Sequence, residues 1–89
     1  MLVLSIDSIN RLPLVVTVVP GTDASNLTRD YPTDVRVPAA ASGLPLDTVF
    51  RCFQVTVVDQ RKFPSQPAGG LSSLYLKKVE DTVRFVLGL

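Results

Sequence analysis

The chain has 89 residues, which is room for one domain, and we expect residues 1–89 to form a single domain stabilised by a second copy. Hydrophobic residues make up 46% of the sequence and charged residues 19%, so the composition excludes an intrinsically disordered chain. The formal net charge is +1. Any nucleic-acid site must therefore come from arginines placed locally in a groove, since there is no overall basic excess.

The chain contains no histidine and a single cysteine, Cys52. Without histidine, Ser-His-Asp and Cys-His catalysis are excluded, and the commonest metal ligand is missing. One cysteine excludes an internal disulfide and a multi-cysteine zinc site. Because Cys52 lies in an apolar run, a buried small side chain is favoured over a reactive thiol. We expect neither a metal nor a cofactor.

The chain opens with an apolar run at residues 1–6, and residues 2–6 of this run are predicted to form a first strand. Asp7 interrupts this run and no basic residue precedes it, so it is neither a signal peptide nor a membrane span, and we expect a cytoplasmic protein. A polar loop then leads to Leu14–Val19, whose nearly continuous apolar character predicts a strand buried on both faces. Pro20-Gly21-Thr22 ends this strand.

A polar loop at 23–30 follows, and residues 33–37 alternate polar and apolar as a surface strand would. Two strands are predicted at 48–53 and 55–58, so close together that they suggest neighbours in an antiparallel sheet or a small barrel. The last segment has helical periodicity, with Ser72 or Ser73 as its cap and Gly88 as its stop. The apolar positions of this helix are Leu76, Val79, Val83, Val86 and Leu87.

Three spaced motifs together resemble the MazF/PemK toxins, the sequence-specific endoribonucleases of type II toxin–antitoxin systems. Gly43-Leu44-Pro45-Leu46-Asp47-Thr48-Val49 is similar to the family's Gly-Leu-Pro-x-Asp-(Ser/Thr)-Val motif. Gln54 to Arg61 resembles the family motif that follows this one. Asn10-Arg11 resembles the last two residues of a family motif that lies earlier in the chain. The likeness covers nearly all of the chain.

The resemblance implies a mainly β fold, an SH3-like barrel of about five strands with a C-terminal helix. It also implies a homodimer that is inhibited by a cognate antitoxin and that cleaves single-stranded mRNA without a metal, through attack by the 2′-hydroxyl. Thr22 matches the catalytic threonine, although a turn residue that ends a strand is its plain alternative. Asn10 and Arg11 would bind phosphate or bases, or would only form a solvated loop. Gln54 would line the RNA groove, or would simply be an exposed side chain.

Family members carry an additional N-terminal strand and an Arg-Pro segment that would stand just before Met1. The fold is therefore expected to be N-terminally truncated in this chain, and the missing arginine is the one thought to act as acid/base in the family. A GTG codon that encodes valine internally can also initiate translation as methionine. We accordingly expect the natural product to be longer than these 89 residues.

Two other functions remain open. One is a catalytically inactive relic that still dimerises or binds antitoxin. The other is a gyrase-poisoning toxin of the CcdB type, but that family ends in a tryptophan-containing tail and this chain has no tryptophan. Arg51 and Arg61 could extend a positive surface or merely solubilise the chain. Phe50 and Phe53 could stack on bases, although core packing is the favoured use of both.

Overall fold

In the computed structural model, residues 1–5, 15–63 and 67–89 are described, and Asn10 and Arg11 lie outside them. These residues form six strands, two helices and three short 3₁₀ turns. The strands are β1 (Leu2–Val3), β2 (Val15–Val19), β3 (Gly21–Asp23), β4 (Asp34–Val37), β5 (Thr48–Arg51) and β6 (Thr56–Asp59). The helices are α1 (Ala39–Ser42) and α2 (Ser73–Leu87), and the 3₁₀ turns are Ala24–Asn26, Cys52–Gln54 and Gln60–Lys62.

The strands form two antiparallel sheets of three strands each. In the first sheet the order is β1-β2-β6, and in the second it is β3-β5-β4. The central strand of the first sheet is the apolar segment predicted to be buried on both faces. Val18 and Val19 are neighbours on opposite sides of that strand, and both are fully buried, which confirms this expectation.

The chain crosses between the two sheets at two places that lie side by side. The first crossing is at Pro20, between β2 and β3, and the second is the 3₁₀ turn Cys52–Gln54, between β5 and β6. The amide of Arg51 donates a hydrogen bond of 2.9 Å to the carbonyl of Pro20 and joins the two crossings. Strands β5 and β6 therefore belong to different sheets, and their predicted pairing as sheet neighbours is wrong.

The hydrophobic core lies between the second sheet, the end of β2 and helix α2. Its buried members are Val19, Val35, Val37, Phe50, Cys52 and Val79. The alternation predicted for 33–37 is seen in β4, where Val35 and Val37 point into this core and Arg36 is exposed. Each buried valine contributes roughly 1.5–3 kcal/mol relative to an exposed one.

The loop between α1 and β5 is closed by the residues of the Gly-Leu-Pro-x-Asp motif. Gly43 ends α1 with φ +73°, a left-handed conformation that glycine adopts without steric cost. The carboxylate of Asp47 accepts the amide of Ala39 at 2.8 Å, at the start of the same helix. The carbonyl of Asp47 accepts the amide of Ala24 at 2.9 Å, which joins this loop to the turn after β3.

Helix α2 confirms the predicted C-terminal helix. Ser72 is its N-cap residue, and Gly88 ends it with φ +73°. Val79 is fully buried, and Leu76, Val83 and Val86 are half-buried, whereas Leu87 is exposed. The predicted fold class, mainly β with a C-terminal helix, is therefore confirmed. No helix within the described ranges is both long and apolar enough to cross a membrane.

Candidate functional site

A cavity of about 910 Å³ opens beside the first residue of the chain and the edge strand β3. Its wall combines the start of the chain, all three residues of β3, residues of β5 and the loop that precedes α2. Its lining residues include Met1, Gly21, Thr22, Asp23, Phe50 and Gly69. Apolar atoms dominate the wall, and β3 contributes polar groups to it.

Thr22 is the middle residue of β3 and is half-buried. It pairs with Val49 of β5, and Val49 pairs on its other side with Arg36 of β4. Because paired residues project from the same face of a sheet, Thr22, Val49 and Arg36 form one cross-strand row. No described residue forms a hydrogen bond with the Thr22 hydroxyl, so within this part of the chain the group is available to a ligand.

Gly21 allows β3 to lie tightly against β5. A Cβ at this position would stand 2.8 Å from Cγ2 of Thr48 and 3.0 Å from Cε1 of Phe50. Such distances are well inside van der Waals contact, so a larger residue would push β3 away from β5. The glycine therefore fixes the position of the neighbouring Thr22.

Asp23 ends β3 and begins the 3₁₀ turn that follows. Its Oδ1 accepts hydrogen bonds of 2.9 Å from both the amide and the hydroxyl of Ser25. These bonds lower the pKa of the Asp23 carboxyl below its usual value, with the backbone bond as the larger cause. Asp23 is therefore ionised at neutral pH, which suits a residue that shapes the turn and does not suit a general acid.

An ion pair lies on the same face of the second sheet as Thr22. Arg51 and Asp34 are paired residues of β5 and β4, and Nε of Arg51 donates to Oδ1 of Asp34 at 3.0 Å. The Asp34 side chain is only 4% exposed, and its other oxygen, Oδ2, has no hydrogen-bond partner among the described residues. Since residues 49 and 51 project from the same face of β5, this pair lies two positions along the strand from the Thr22 row.

Arg51 also contacts an aromatic ring. Its Cζ lies 4.7 Å from the centroid of Phe53, which is 42% exposed. Phe50 is in the core as predicted, but the same prediction for Phe53 is wrong, because the chain leaves β5 at Arg51 and the 3₁₀ turn carries Phe53 outward. Gln54, the last residue of this turn, is exposed next to Phe53.

The turn also contains Cys52, which is fully buried as expected. Burial, and secondly the charge of Asp34, raises the pKa of the thiol to about 11. The thiol is therefore neutral at physiological pH and is not a nucleophile. Within the described ranges, no group of three histidine, cysteine, aspartate or glutamate side chains could hold a metal ion.

A smaller cavity of about 440 Å³ separates β4 from α2. Its charged lining residues are Asp30, Asp34, Arg36, Lys78 and Asp81. Several of these charges are already paired, since Arg36 Nη2 lies 2.9 Å from Asp30 and Lys77 Nζ lies 3.4 Å from Asp81. This groove presents mixed charge and no concentrated positive surface.

The structure describes two of the four predicted site residues: Thr22 lies in the edge strand β3, and Gln54 lies in the 3₁₀ turn that follows β5. The other two, Asn10 and Arg11, lie outside the described residues. Sequence reasoning missed Asp34, because nothing in the sequence shows that it faces Arg51, 17 positions away. Sequence reasoning also missed that Phe53 is exposed. The only features that could have indicated this are the polar Gln54 that follows it and the end of the β-branched run before it.

These features define a class: a small two-sheet β fold with one packed C-terminal helix and a polar edge strand beside a large cavity. The family of PemK-like, MazF-like toxins of type II toxin–antitoxin systems matches residues 1–87, and the chain belongs to this family. The search of curated proteins found no match.

Solved structures share the same fold. Mycobacterium tuberculosis toxin MazF-mt6 superposes with a TM-score of 0.80 at 23% sequence identity, over 99% of this chain and 84% of that one. An endoribonuclease in complex with its cognate antitoxin, from a mycobacterial species, has a TM-score of 0.79 at 20% identity, over 98% of this chain and 78% of that one. At these identities the structural likeness shows the fold.

Proposed function

We propose that this toxin is a metal-independent endoribonuclease that cleaves single-stranded mRNA in the cytoplasm, works as a homodimer and is inhibited by a cognate antitoxin. Family membership and the shared fold support this proposal, and one of the similar structures is described as an endoribonuclease with its antitoxin. The observation that carries it is the position of Thr22. Its hydroxyl has no partner among the described residues, and the sheet face it belongs to also bears Arg36 and Arg51.

The chemistry requires proton transfer and charge stabilisation. The 2′-hydroxyl of one nucleotide attacks the adjacent phosphorus and loses its proton, and the bond from phosphorus to the 5′-oxygen breaks. The leaving 5′-oxygen takes up a proton, so the products are a 2′,3′-cyclic phosphate and a 5′-hydroxyl end. Negative charge builds up on the phosphorane oxygens between these steps, and the Thr22 hydroxyl would act as a donor to one of them.

In a version of the protein extended before Met1, an added arginine could take the acid/base role. Leu2 pairs with Val19 and Val3 with Val18, so the start of the chain lies beside the end of β2, next to the crossing at Pro20. Met1 itself lines the same cavity as Thr22. We infer that an arginine joined to Met1 through one proline could reach this cavity and contact the same phosphate as Thr22.

The test is cleavage of a long transcript, with the 5′-hydroxyl ends mapped. Two proteins are compared: the 89-residue chain, and a version with Arg-Pro added before Met1. We expect the extended protein to cleave at defined sites. Thr22→Ala should lower its rate by roughly 10²- to 10³-fold, the usual cost of removing one charge-stabilising donor.

Thr28→Ala is the matched control, because Thr28 is an exposed threonine in the loop that follows β3. It should leave the rate unchanged. Equal rates for Thr22→Ala and Thr28→Ala would remove Thr22 from the mechanism. Absence of cleavage by both proteins would reject the nuclease and favour the relic that only dimerises or binds antitoxin.

The homodimer is supported by apolar side chains that the described residues leave in solvent. They include Leu46, Val57, Leu74 and Leu89, each more than half exposed. A domain of this size gains much of its stability from a partner surface. Sedimentation equilibrium is expected to give twice the mass of the chain, and a monomer at micromolar concentration would contradict this part of the proposal.

A further inference from the structure

Phe53 differs from the other exposed aromatic side chains in what surrounds it. Single exposed aromatics are common on protein surfaces, and Phe85 on α2 is one of them, at 65% exposure. Phe53, in contrast, has the guanidinium of Arg51 over its ring at 4.7 Å. That guanidinium is in turn held by Asp34, whose side chain is almost fully buried.

We propose that Phe53 and Arg51 form a stacking platform for one unpaired base of the RNA substrate, with the amide of Gln54 contacting the edge of that base. This inference rests on the proposed ribonuclease function and adds a binding subsite to it. Planar bases stack on aromatic rings and on guanidinium planes, and the exposed amide of Gln54 supplies both a donor and an acceptor.

The platform is held in place by the backbone as well as by the ion pair. The amide of Cys52 donates to the carbonyl of Thr33 at 3.1 Å, and the amide of Val55 donates to the carbonyl of Cys52 at 3.4 Å. These bonds fix both ends of the turn that carries Phe53. Asp34 is a positioning residue in this scheme, because its buried carboxylate orients the guanidinium and need not touch RNA itself.

The platform is also close to Thr22. Arg51 is two positions along β5 from the partner of Thr22, so a rise of about 3.4 Å per residue and a strand spacing of about 4.8 Å put the two Cα atoms about 8 Å apart. Both side chains project from the same face of the sheet. We therefore place the base held on Phe53 in the same stretch of RNA whose phosphate contacts Thr22.

The chemistry of the patch favours RNA over an apolar protein surface. A protein partner that buried the Phe53 ring would also have to desolvate the Arg51 guanidinium and the Gln54 amide. A nucleotide meets all three groups, since its base stacks on the ring and on the guanidinium and its edge forms hydrogen bonds with the amide of Gln54.

The experiment measures binding and cleavage separately, in the Arg-Pro-extended protein and in the 89-residue chain. Binding is measured by fluorescence anisotropy with single-stranded RNA carrying 2′-O-methyl groups, which cannot attack the phosphorus. Phe53→Leu keeps an apolar side chain but removes the π-face, and it should weaken binding roughly 5- to 150-fold. Phe53→Trp should bind at least as tightly as the wild type, and Phe85→Leu, the matched control, should match it within about twofold.

Asp34→Asn tests the positioning role through non-additivity. It should weaken RNA binding more when Phe53 is present than in the Phe53→Leu background, because the guanidinium then no longer packs against a ring that also holds the base. A purely structural role for Asp34 would instead weaken binding by the same factor in both backgrounds.

The outcomes separate the platform from the nuclease. Cleavage by the wild type together with undiminished binding by Phe53→Leu would overturn the platform and leave the nuclease intact. If neither wild-type protein binds or cleaves RNA, both proposals fail. If Phe53→Leu binds RNA normally but loses dimerisation or antitoxin binding, the patch serves a protein contact and the platform is wrong. Should Phe53→Leu fail to fold, weakened binding by Phe53→Trp would count against the platform.

Discussion

The two arginine–aspartate pairs of the second sheet offer a sharp test of how burial determines the contribution of an ion pair. Arg51 and Asp34 are 23% and 4% exposed, whereas Arg36 and Asp30 are 43% and 77% exposed. Both pairs have similar donor–acceptor distances, 3.0 and 2.9 Å. We predict that Arg51→Met destabilises the protein far more than Arg36→Met, because it leaves the Asp34 carboxylate buried without its partner.

The size of the difference follows from the exposed fractions. Removing one partner of a fully buried pair costs about 3–5 kcal/mol, and the partial exposure of Arg51 sets the expectation at the lower end, about 3 kcal/mol. Exposed pairs contribute about 0–1 kcal/mol, so Arg36→Met should cost at most about 1 kcal/mol. For a domain of this size, about 3 kcal/mol corresponds to a fall in Tm of roughly 12 °C or more.

The assay is urea unfolding followed by far-UV circular dichroism, at one fixed protein concentration so that any dimerisation affects all variants alike. High salt should reduce the small effect of Arg36→Met and leave most of the effect of Arg51→Met. The double variant Asp34→Leu/Arg51→Met should recover much of the lost stability, because it removes both buried charges. Equal losses for Arg51→Met and Arg36→Met, within about 0.5 kcal/mol, would refute the reasoning.

Two further predictions concern stability. Burial raises the pKa of the Cys52 thiol from its ordinary 9.0 to about 11, so between these values only the unfolded thiol ionises. Stability that is complete below pH 9 should therefore fall by about 2 kcal/mol by pH 11. Cys52→Ala should flatten this part of the pH–stability curve, and an unchanged slope would contradict the assignment. Gly69→Ala should lower the free energy of unfolding by about 2 kcal/mol or more, because the added Cβ would collide with the carbonyl of Ser42. In Gly70→Ala the added Cβ meets open space, so the free energy of unfolding should change by no more than about 0.5 kcal/mol. Urea unfolding of the two alanine variants decides this, and similar losses would count against a collision at Gly69.

The sequence predicted those parts of the fold that depend on local chemistry. The helical period before Gly88, the alternation in β4 and the apolar run of β2 are each properties of one segment, and each segment adopts the expected structure. The resemblance of the Gly-Leu-Pro-x-Asp segment to a known family also led to the correct class, and the structure shows a physical reason for that motif in the loop closed by Gly43 and Asp47.

What the sequence could not provide was the relation between segments. Thr48–Phe53 and Val55–Val58 look like two arms of a hairpin, yet a three-residue 3₁₀ turn is enough to send them into different sheets. The same turn explains why Phe53 is exposed although its composition suggested a core residue. The pairing of Asp34 with Arg51 depends on strand register, which a single sequence does not reveal.

The hydrogen bond between Arg51 and Pro20 has a mechanical consequence. It joins the two points at which the chain passes from one sheet to the other, so the sheets cannot slide past each other without breaking this bond and bending both crossings. Thr22 stands two residues after one crossing, and Phe53 lies within the other. The distance between Thr22 and Phe53 is therefore set by the main chain. We expect it to stay constant while flexible side chains elsewhere adjust to different partners.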